Sequence, residues 1–271
     1  MMHVSELTKG VSTEKVFQVR VRKWSEKETD LFNRKDYTGF AYFPEGKRRE
    51  LDLDFVCDLP GLRYVAIGGD VGDDSALFEK DGLRGLHLHY SSQKVADLTR
   101  LAPSLEELTL GWRRNLRIPS CPRLITAYVD GCLAEDLGFI EDQPRLRHLQ
   151  VELKRNHVMS TLNAPNMPEL LKLELQGGAI QDLGTLKLSP TTRSVGLHSV
   201  KDADLTFLEL LPQLEVLEMD RSTVRSVNVI DGLPKLEVID DEKTKILDGD
   251  RGPIDRNRDR IRNARLGGHL G

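Results

Sequence analysis

The chain has 271 residues, of which 39% are hydrophobic, and a formal net charge of −4. This negative charge argues against a general polyanion binder, and no apolar run approaches the length of a membrane span. The three cysteines (Cys57, Cys121 and Cys132) form no paired motif. They indicate reduced thiols rather than a disulfide framework or a zinc site. The first residues show no secretory signal pattern, so we expect a cytoplasmic protein.

Residues 1–57 do not repeat and predict an N-terminal cap made of β-strands. Residues 16–21 alternate apolar and polar side chains, and residues 37–43 form a second run that is typical of a strand. A stack of repeats needs such a cap, because an open end exposes core leucines and a bare strand edge. A separate enzymatic or targeting domain is the weaker alternative, since this segment contains no catalytic motif.

Residues 58–245 repeat a unit of about 22 residues. Successive anchor positions are 19 to 24 residues apart, and eight of the nine anchors follow a proline by two positions. The anchors are Leu62, Leu83, Leu105, Leu124, Leu146, Leu170, Thr192, Leu214 and Leu236. Apolar residues recur three and five positions after most anchors, which predicts a short strand with one apolar face. A fixed period of this length indicates stacked units rather than one closed globule.

Several of the segments that return to the next strand begin with an aspartate followed by a leucine. These aspartates are Asp97, Asp136, Asp182 and Asp204. An aspartate in this position predicts the N-cap of a short helical turn, because its carboxylate accepts a hydrogen bond from a free backbone N–H group.

This combination of proline, strand leucines and Asp-Leu returns resembles the leucine-rich-repeat family, and its unit length is similar to the short, internalin-like bacterial class. The resemblance covers residues 58–245. It implies an α/β fold, a right-handed solenoid with a parallel sheet on its concave side and short helical or 3-10 returns on its convex side. The remaining residues, 246–271, then form a charged C-terminal tail or cap.

One column departs from the family, whose members carry asparagine three residues after the last strand leucine. Here that column contains no asparagine: it reads Asp70, Ser91, Arg113, Cys132, Lys154, Gly178, Val200 and Ser222. Burying Arg113 or Lys154 would be costly. We therefore expect irregular turns in the third and fifth repeats, where the period also departs from 22.

The residues between the apolar strand positions face the concave side, where stacking aligns them in columns. The first half of these columns is rich in aromatic residues and histidine, and the second half is acidic. Exposed aromatic residues are typical protein-binding hot spots, and acidic rows attract basic patches. We predict a non-catalytic adaptor or inhibitor-type protein whose partner carries a basic patch. The predicted partner-binding residues are Tyr64, His87, His89, Tyr90, Trp112, Tyr128, Asp130, Gln150, Glu152, Glu174, Glu218 and Asp220.

Three alternatives remain, of which an ordinary solvated sheet face is the simplest. The second is a nucleic-acid or acidic-partner binder that acts through the arginine-rich tail from Arg251 to Gly271, although such a run is also typical of a solvated helix. The third is catalysis or metal binding by His87 and His89, whose neighbouring columns offer no third ligand. We expect no enzymatic activity, metal or cofactor, no membrane association and a monomer.

Overall fold

The computed structural model describes residues 15–19, 24–43, 52–69, 71, 73–160, 166–180 and 188–267. One compact unit of the chain ends at Asp130 and a second begins at Gly131. Each contains parallel strands joined by turns and short helices, which confirms the predicted fold class of an α/β leucine-rich-repeat solenoid. None of the helices in the described ranges is long and apolar enough to cross a membrane.

The first unit contains five parallel strands and the larger part of a sixth, which ends two residues into the second unit. They are β1 (Val16–Val19), β2 (Gly39–Tyr42), β3 (Tyr64–Ile67), β4 (Gly85–Leu88), β5 (Glu107–Gly111) and β6 (Thr126–Cys132). Each strand pairs with the next in sequence order, and Leu86 of β4 pairs with Val65 on one side and Leu108 on the other. These three side chains are buried. The apolar column predicted from the 22-residue period is therefore present.

The N-terminal strands β1 and β2 run parallel to β3 and continue its register, with Phe40 of β2 paired with Val65. Helix α1 (Glu26–Arg34) joins them. Its N-terminus is a capping box that sequence reasoning missed, in which the Glu28 carboxylate accepts a hydrogen bond from Ser25 N at 3.1 Å. Aromatic packing covers this end of the unit, with the rings of Trp24 and Phe55 stacked at 4.1 Å.

The described returns of the first unit are short. A 3-10 helix spans Asp54–Asp58 and helix α2 spans Ser75–Phe78. Three of the aspartates predicted to cap the returns, Asp97, Asp136 and Asp204, each accept a hydrogen bond from the backbone N–H group two residues later, at 2.8 to 3.0 Å. The prediction that they are helix N-caps is wrong for Asp204, because the N-cap of the 3-10 helix Thr206–Leu210 is Leu205. Asp182 lies outside the described residues.

The second unit has five strands in its main parallel sheet and two smaller parallel pairs. The main strands are β7 (His148–Leu153), β9 (Lys172–Gln176), β11 (Ser194–His198), β12 (Val216–Glu218) and β14 (Val238–Asp240). The smaller pairs join β8 (Val158–Met159) to β10 (Ala179–Ile180) and β13 (Thr223–Val224) to β15 (Lys245–Ile246). Two 3-10 returns (Thr206–Leu210 and Asn228–Gly232) and the C-terminal helix α3 (Gly252–Gly267) complete its described elements.

Arg113 lies in the core, although its burial was expected to be costly. Its side chain is fully buried, and its guanidinium donates a hydrogen bond to the carboxylate of Asp74, which is 3% exposed. The rings of Phe78 and Tyr90 lie 5.3 and 5.5 Å from the guanidinium carbon. A buried charge is tolerated when it is paired in this way. Lys154, in contrast, is exposed.

In the second unit, Ser222 occupies the column in which the family carries asparagine. Its hydroxyl donates to Leu197 O at 2.7 Å and accepts from Val200 N at 3.1 Å. Ser222 is 1% exposed, so these bonds satisfy backbone groups of the neighbouring repeat inside the core.

Candidate functional site

The face of the sheet opposite the buried leucines carries the columns predicted from the sequence. In the first unit His87 pairs with Ala66 and Thr109, and Thr109 pairs with Tyr128. In the second unit Glu174 pairs with Gln150 and Gly196, and Gly196 pairs with Glu218. The predicted alignment is confirmed within each unit, because parallel pairing repeats the same register at every step. We call this side of each unit its open face.

Tyr64 lies flat on the open face of the first unit and is 7% exposed. A Cβ atom at Gly85 on the neighbouring strand would lie 2.3 Å from Tyr64 Cδ1, so the ring occupies the space that this glycine leaves. The guanidinium of Arg84 lies 5.8 Å from the ring centre. The expectation that Tyr64 is exposed is wrong, because its ring covers a strand.

Tyr90 is also buried, at 9% exposure, and the expectation of an exposed anchor at this position is wrong. Its hydroxyl donates to Asp74 Oδ2 at 2.7 Å, the same oxygen that accepts the hydrogen bond from Arg113. Burial raises the pKa of the Tyr90 hydroxyl well above its ordinary value, and the charge of Asp74 raises it further. Sequence reasoning missed this cluster because Asp74 lies in a return that carries no repeat signal.

His87 and His89 are both half-buried. His87 Nδ1 lies 3.0 Å from Thr109 Oγ1, and His87 Nε2 lies 3.4 Å from Glu107 Oε2. Burial, together with the nearby His87, lowers the pKa of His89 to about 4, so His89 is neutral near pH 7. The hydrogen bond to Thr109 orients His87, and burial keeps a positive charge off His89.

Trp112, Tyr128 and Asp130 are half-buried residues at the C-terminal end of the first unit. Trp112 N donates to Asp130 O at 2.7 Å, which fixes the backbone that carries the indole. These three residues keep part of their surface accessible. They therefore remain accessible within the predicted aromatic surface, whereas Tyr64 and Tyr90 are buried.

The open face of the second unit carries a strip of carboxylates and one amide, which we call the acidic strip. It comprises Gln150, Glu152, Glu174, Glu218, Asp220, Asp240 and Glu242. Asp240 and Glu242 are exposed, and the other five are half-buried. The Asp220 carboxylate lies 2.9 Å from the guanidinium of Arg221, and this hydrogen bond lowers the pKa of Asp220.

Glu174 is the most enclosed carboxylate of the acidic strip, with 13% of its side chain exposed. Its Oε2 lies 2.7 Å from His148 Nε2, and its Oε1 lies 2.8 Å from Lys172 Nζ. Burial acts to raise the pKa of Glu174, but the hydrogen bonds from His148 and Lys172 outweigh it, and the pKa falls to about 2. His148 and Lys172 were absent from the predicted site, although each lies two residues before a column residue of its own strand, on the same face.

Two further residues of the second unit complete the surroundings of Glu174. His198 Nε2 lies 3.9 Å from Glu174 Oε1 and 3.7 Å from Glu218 Oε2. Gly196, which pairs with both glutamates, leaves the space between them free of a side chain. His198 stands in a predicted column, but the sequence alone did not indicate that its ring turns toward the glutamates.

The arginine-rich C-terminal segment forms helix α3 and packs on the last repeat. Arg251 and Arg258 both bind the carboxylate of Asp241, which is 6% exposed, and Ile254 is fully buried. Arg260 donates to carbonyl oxygens of the last repeat, those of Leu233, Pro234 and Leu236. These contacts give the arginines a structural role that the charge pattern alone did not predict.

The parallel strands and short returns of each unit define the class of α/β solenoids, which are built from stacked repeats. No protein-family model and no curated protein matches the chain. Among solved structures, an internalin from Listeria monocytogenes is similar, with a TM-score of 0.46 and 17% sequence identity. The similarity covers 83% of this chain and 73% of the internalin chain.

Proposed function

We propose that this chain is a non-catalytic protein-recognition module, and that the acidic strip of the second unit binds a protein with a basic patch. The observation that carries the proposal is the acidic strip itself. Its side chains stand on, or just after, the strands β7, β9, β12 and β14 of one parallel sheet, with β11 between the middle two. Neighbouring strands of a sheet are about 4.8 Å apart, so several carboxylates face one partner surface. An acidic surface of this kind speeds the encounter with a basic protein and selects against acidic ones.

The half-buried acids of the strip support a recognition role because they are held in place before any partner arrives. Glu174 is fixed by His148 and Lys172, and Asp220 is fixed by Arg221. Side chains that are already ordered lose less conformational entropy on binding. Asp240 and Glu242 are more exposed and supply the long-range attraction. As part of the same proposal, the protein is built of short, internalin-like repeats and acts as an adaptor or as an inhibitor-type binder.

In the first unit, we propose Trp112, Tyr128 and Asp130 as a second contact region with a more aromatic character. Aromatic side chains with one accessible edge are enriched at protein interfaces. His87 and His89 flank this region and add polar contacts. Tyr64 and Tyr90 contribute by holding the underlying strands, since both are buried.

The experiment compares affinity purification from the source cell by the wild type and by two charge variants. In the first variant, Glu152→Lys and Asp240→Lys reverse two charges of the acidic strip. In the control, Glu135→Lys and Glu209→Lys make the same change of net charge at exposed positions away from the strip. We expect a basic protein to be recovered by the wild type and the control and lost by the strip variant. Equal recovery by all three would contradict the proposal.

The alternative of nucleic-acid binding by helix α3 is weakened because its arginines are engaged within the protein. Arg251, Arg256, Arg258 and Arg260 all make contacts with the last repeats. A nucleic-acid binder would show an affinity that falls steeply with salt. Titration of a labelled single-stranded oligonucleotide at low and high salt tests this alternative directly.

A further inference from the structure

Three side chains with metal-binding groups meet on the open face of the second unit. They are Glu174 on β9, His198 on β11 and Glu218 on β12, and one ligand atom from each lies within 4.8 Å of the others. The distances from His198 Nε2 to the nearest oxygens of Glu174 and Glu218 are 3.9 and 3.7 Å. Tetrahedral ligands at about 2.1 Å from a zinc ion are about 3.4 Å apart. Small side-chain movements would therefore bring these three atoms to bonding distance.

Gly196 provides an independent observation, because it opens the space on which the three side chains converge. It lies between Glu174 and Glu218 in the sheet register. A Cβ atom at Gly196 would lie 2.9 Å from His198 Nε2, 3.2 Å from Glu174 Cγ and 3.5 Å from Glu218 Oε2. Any larger residue would fill this space and push the imidazole away. The glycine thus lets three strands contribute donor atoms to one point.

We propose that Glu174, His198 and Glu218 form a binding site for a divalent transition-metal ion of the zinc type. One imidazole nitrogen and two carboxylate oxygens suit zinc better than calcium or magnesium, which prefer oxygen ligands alone. The side chains of His198 and Glu218 are 28% and 34% exposed. The fourth coordination position therefore opens to solvent, where water or a donor group of a partner completes the tetrahedron.

The residues around the site orient its ligands. Glu174 Oε2 accepts a hydrogen bond from His148 at 2.7 Å, which leaves Oε1 directed toward His198. Lys172 Nζ lies 2.8 Å from Oε1 and is the cation that a metal ion would displace or share. Outer contacts of this kind fix ligand geometry and raise affinity. The site goes beyond the proposed recognition function, since binding a basic protein requires no metal.

The test uses the full chain without a histidine tag, freed of metal by chelation and titrated with Zn²⁺ by calorimetry. Co²⁺ titration, followed by visible absorption, reports whether coordination is tetrahedral. We expect one ion per chain, and at least a tenfold weaker affinity in both His198→Ala and Glu218→Gln. The matched control is His157→Ala, which removes a half-buried imidazole that contacts Ala134 O at 2.7 Å, outside the site. This control should bind Zn²⁺ as the wild type does.

Gly196→Ala gives the sharpest readout, because it keeps all three ligands and fills the space between them. We expect it to weaken Zn²⁺ binding at least tenfold while far-UV circular dichroism stays that of the wild type. Equal Zn²⁺ affinity in the wild type, His198→Ala and Glu218→Gln would overturn the proposal, as would the absence of a tetrahedral Co²⁺ spectrum. The metal titrations contain no protein partner, so a negative result there leaves the recognition proposal intact. A negative result in the affinity purification likewise leaves the metal site intact.

Discussion

Arg113 and Asp74, 39 residues apart in sequence, form an ion pair inside the first unit with side chains 0% and 3% exposed. Removing one member of a buried pair leaves the other charge without compensation. We therefore expect Arg113→Met to lower the free energy of unfolding by about 3–5 kcal/mol. Urea denaturation followed by circular dichroism measures the change.

The control for this prediction is Arg225→Met, which breaks the exposed pair of Arg225 and Asp202 at 3.1 Å. Exposed ion pairs contribute at most about 1 kcal/mol, so this variant should unfold almost as the wild type does. The double variant Asp74→Asn, Arg113→Met should recover part of the lost stability, because it removes both charges. Equal decreases in the free energy of unfolding in Arg113→Met and Arg225→Met would show that the buried pair stabilises the protein no more than an exposed pair does.

Tyr90 gives a second prediction through the same carboxylate. Tyr90→Phe removes the hydrogen bond to Asp74, and we expect it to cost about 1–2 kcal/mol of unfolding free energy. Because burial raises the pKa of Tyr90 in the folded state, this residue stabilises the fold fully below its ordinary pKa of 10.0 and progressively less as the pH rises above it.

The measurement for Tyr90 is the ultraviolet absorbance of phenolate between about pH 9 and pH 11. While the protein stays folded, the wild type and Tyr90→Phe should show the same increase, since Tyr90 does not ionise there. A smaller increase in Tyr90→Phe would mean that Tyr90 titrates normally, contrary to its buried position.

A third prediction concerns the stability of the second unit in acid. The contacts with His148 and Lys172 lower the pKa of Glu174 from its ordinary value of 4.5 to about 2 in the folded protein. Its contribution is therefore present above about pH 4.5 and lost as the pH falls toward 2. Glu174→Gln has no carboxylate to titrate. When the pH is lowered, we therefore expect its free energy of unfolding to fall by on the order of 1 kcal/mol less than that of the wild type, a figure reduced for screening by solvent.

Urea unfolding at about pH 5 and about pH 3 tests the Glu174 prediction. The matched control is Glu209→Gln at an exposed position in the 3-10 return Thr206–Leu210. The control should show the full acid-dependent loss of the wild type. The same loss in Glu174→Gln would mean that the contacts with His148 and Lys172 do not favour the charged form.

The fourth prediction follows from the contact of Tyr64 with Gly85. Gly85→Ala places a Cβ atom 2.3 Å from the Tyr64 ring, and we expect a loss of about 1–3 kcal/mol. Gly232→Ala is the control, because nothing lies within 4 Å of a Cβ atom there. Thermal melting should show a lower midpoint for Gly85→Ala and little change for Gly232→Ala. Combining Gly85→Ala with Tyr64→Leu should relieve part of the loss if the ring is the cause.

The sequence was sufficient to predict which residues align in each column of the open face. Glu174 and Glu218 align with Gly196 because parallel pairing repeats with the period of the chain. The strands near residues 16–21 and 37–43 were also predictable, since both follow the apolar pattern of a strand. Helix α1 was not inferred, although its Ser25–Glu28 capping box is a local signal that the sequence contains.

Exposure within those columns was not predictable, and the aromatic residues show why. Tyr64 and Tyr90 stand where an exposed side chain is expected, yet both are buried. The fate of Tyr64 depends on a glycine in the next repeat, and that of Tyr90 on Asp74 in a return 16 residues earlier. A periodic pattern carries no information about partners that do not repeat.

The sequence by itself determined the solenoid, its parallel strands and the alignment of its columns, because these follow from side-chain alternation and a constant period. Only the tertiary structure decided which polar residues enter the core and which converge on the open face. Arg113 is buried because Asp74 and two aromatic rings surround it. His198 reaches Glu174 and Glu218 because Gly196 leaves room for its ring. Both outcomes involve contacts with residues of other repeats, and such contacts exist only once the chain has folded.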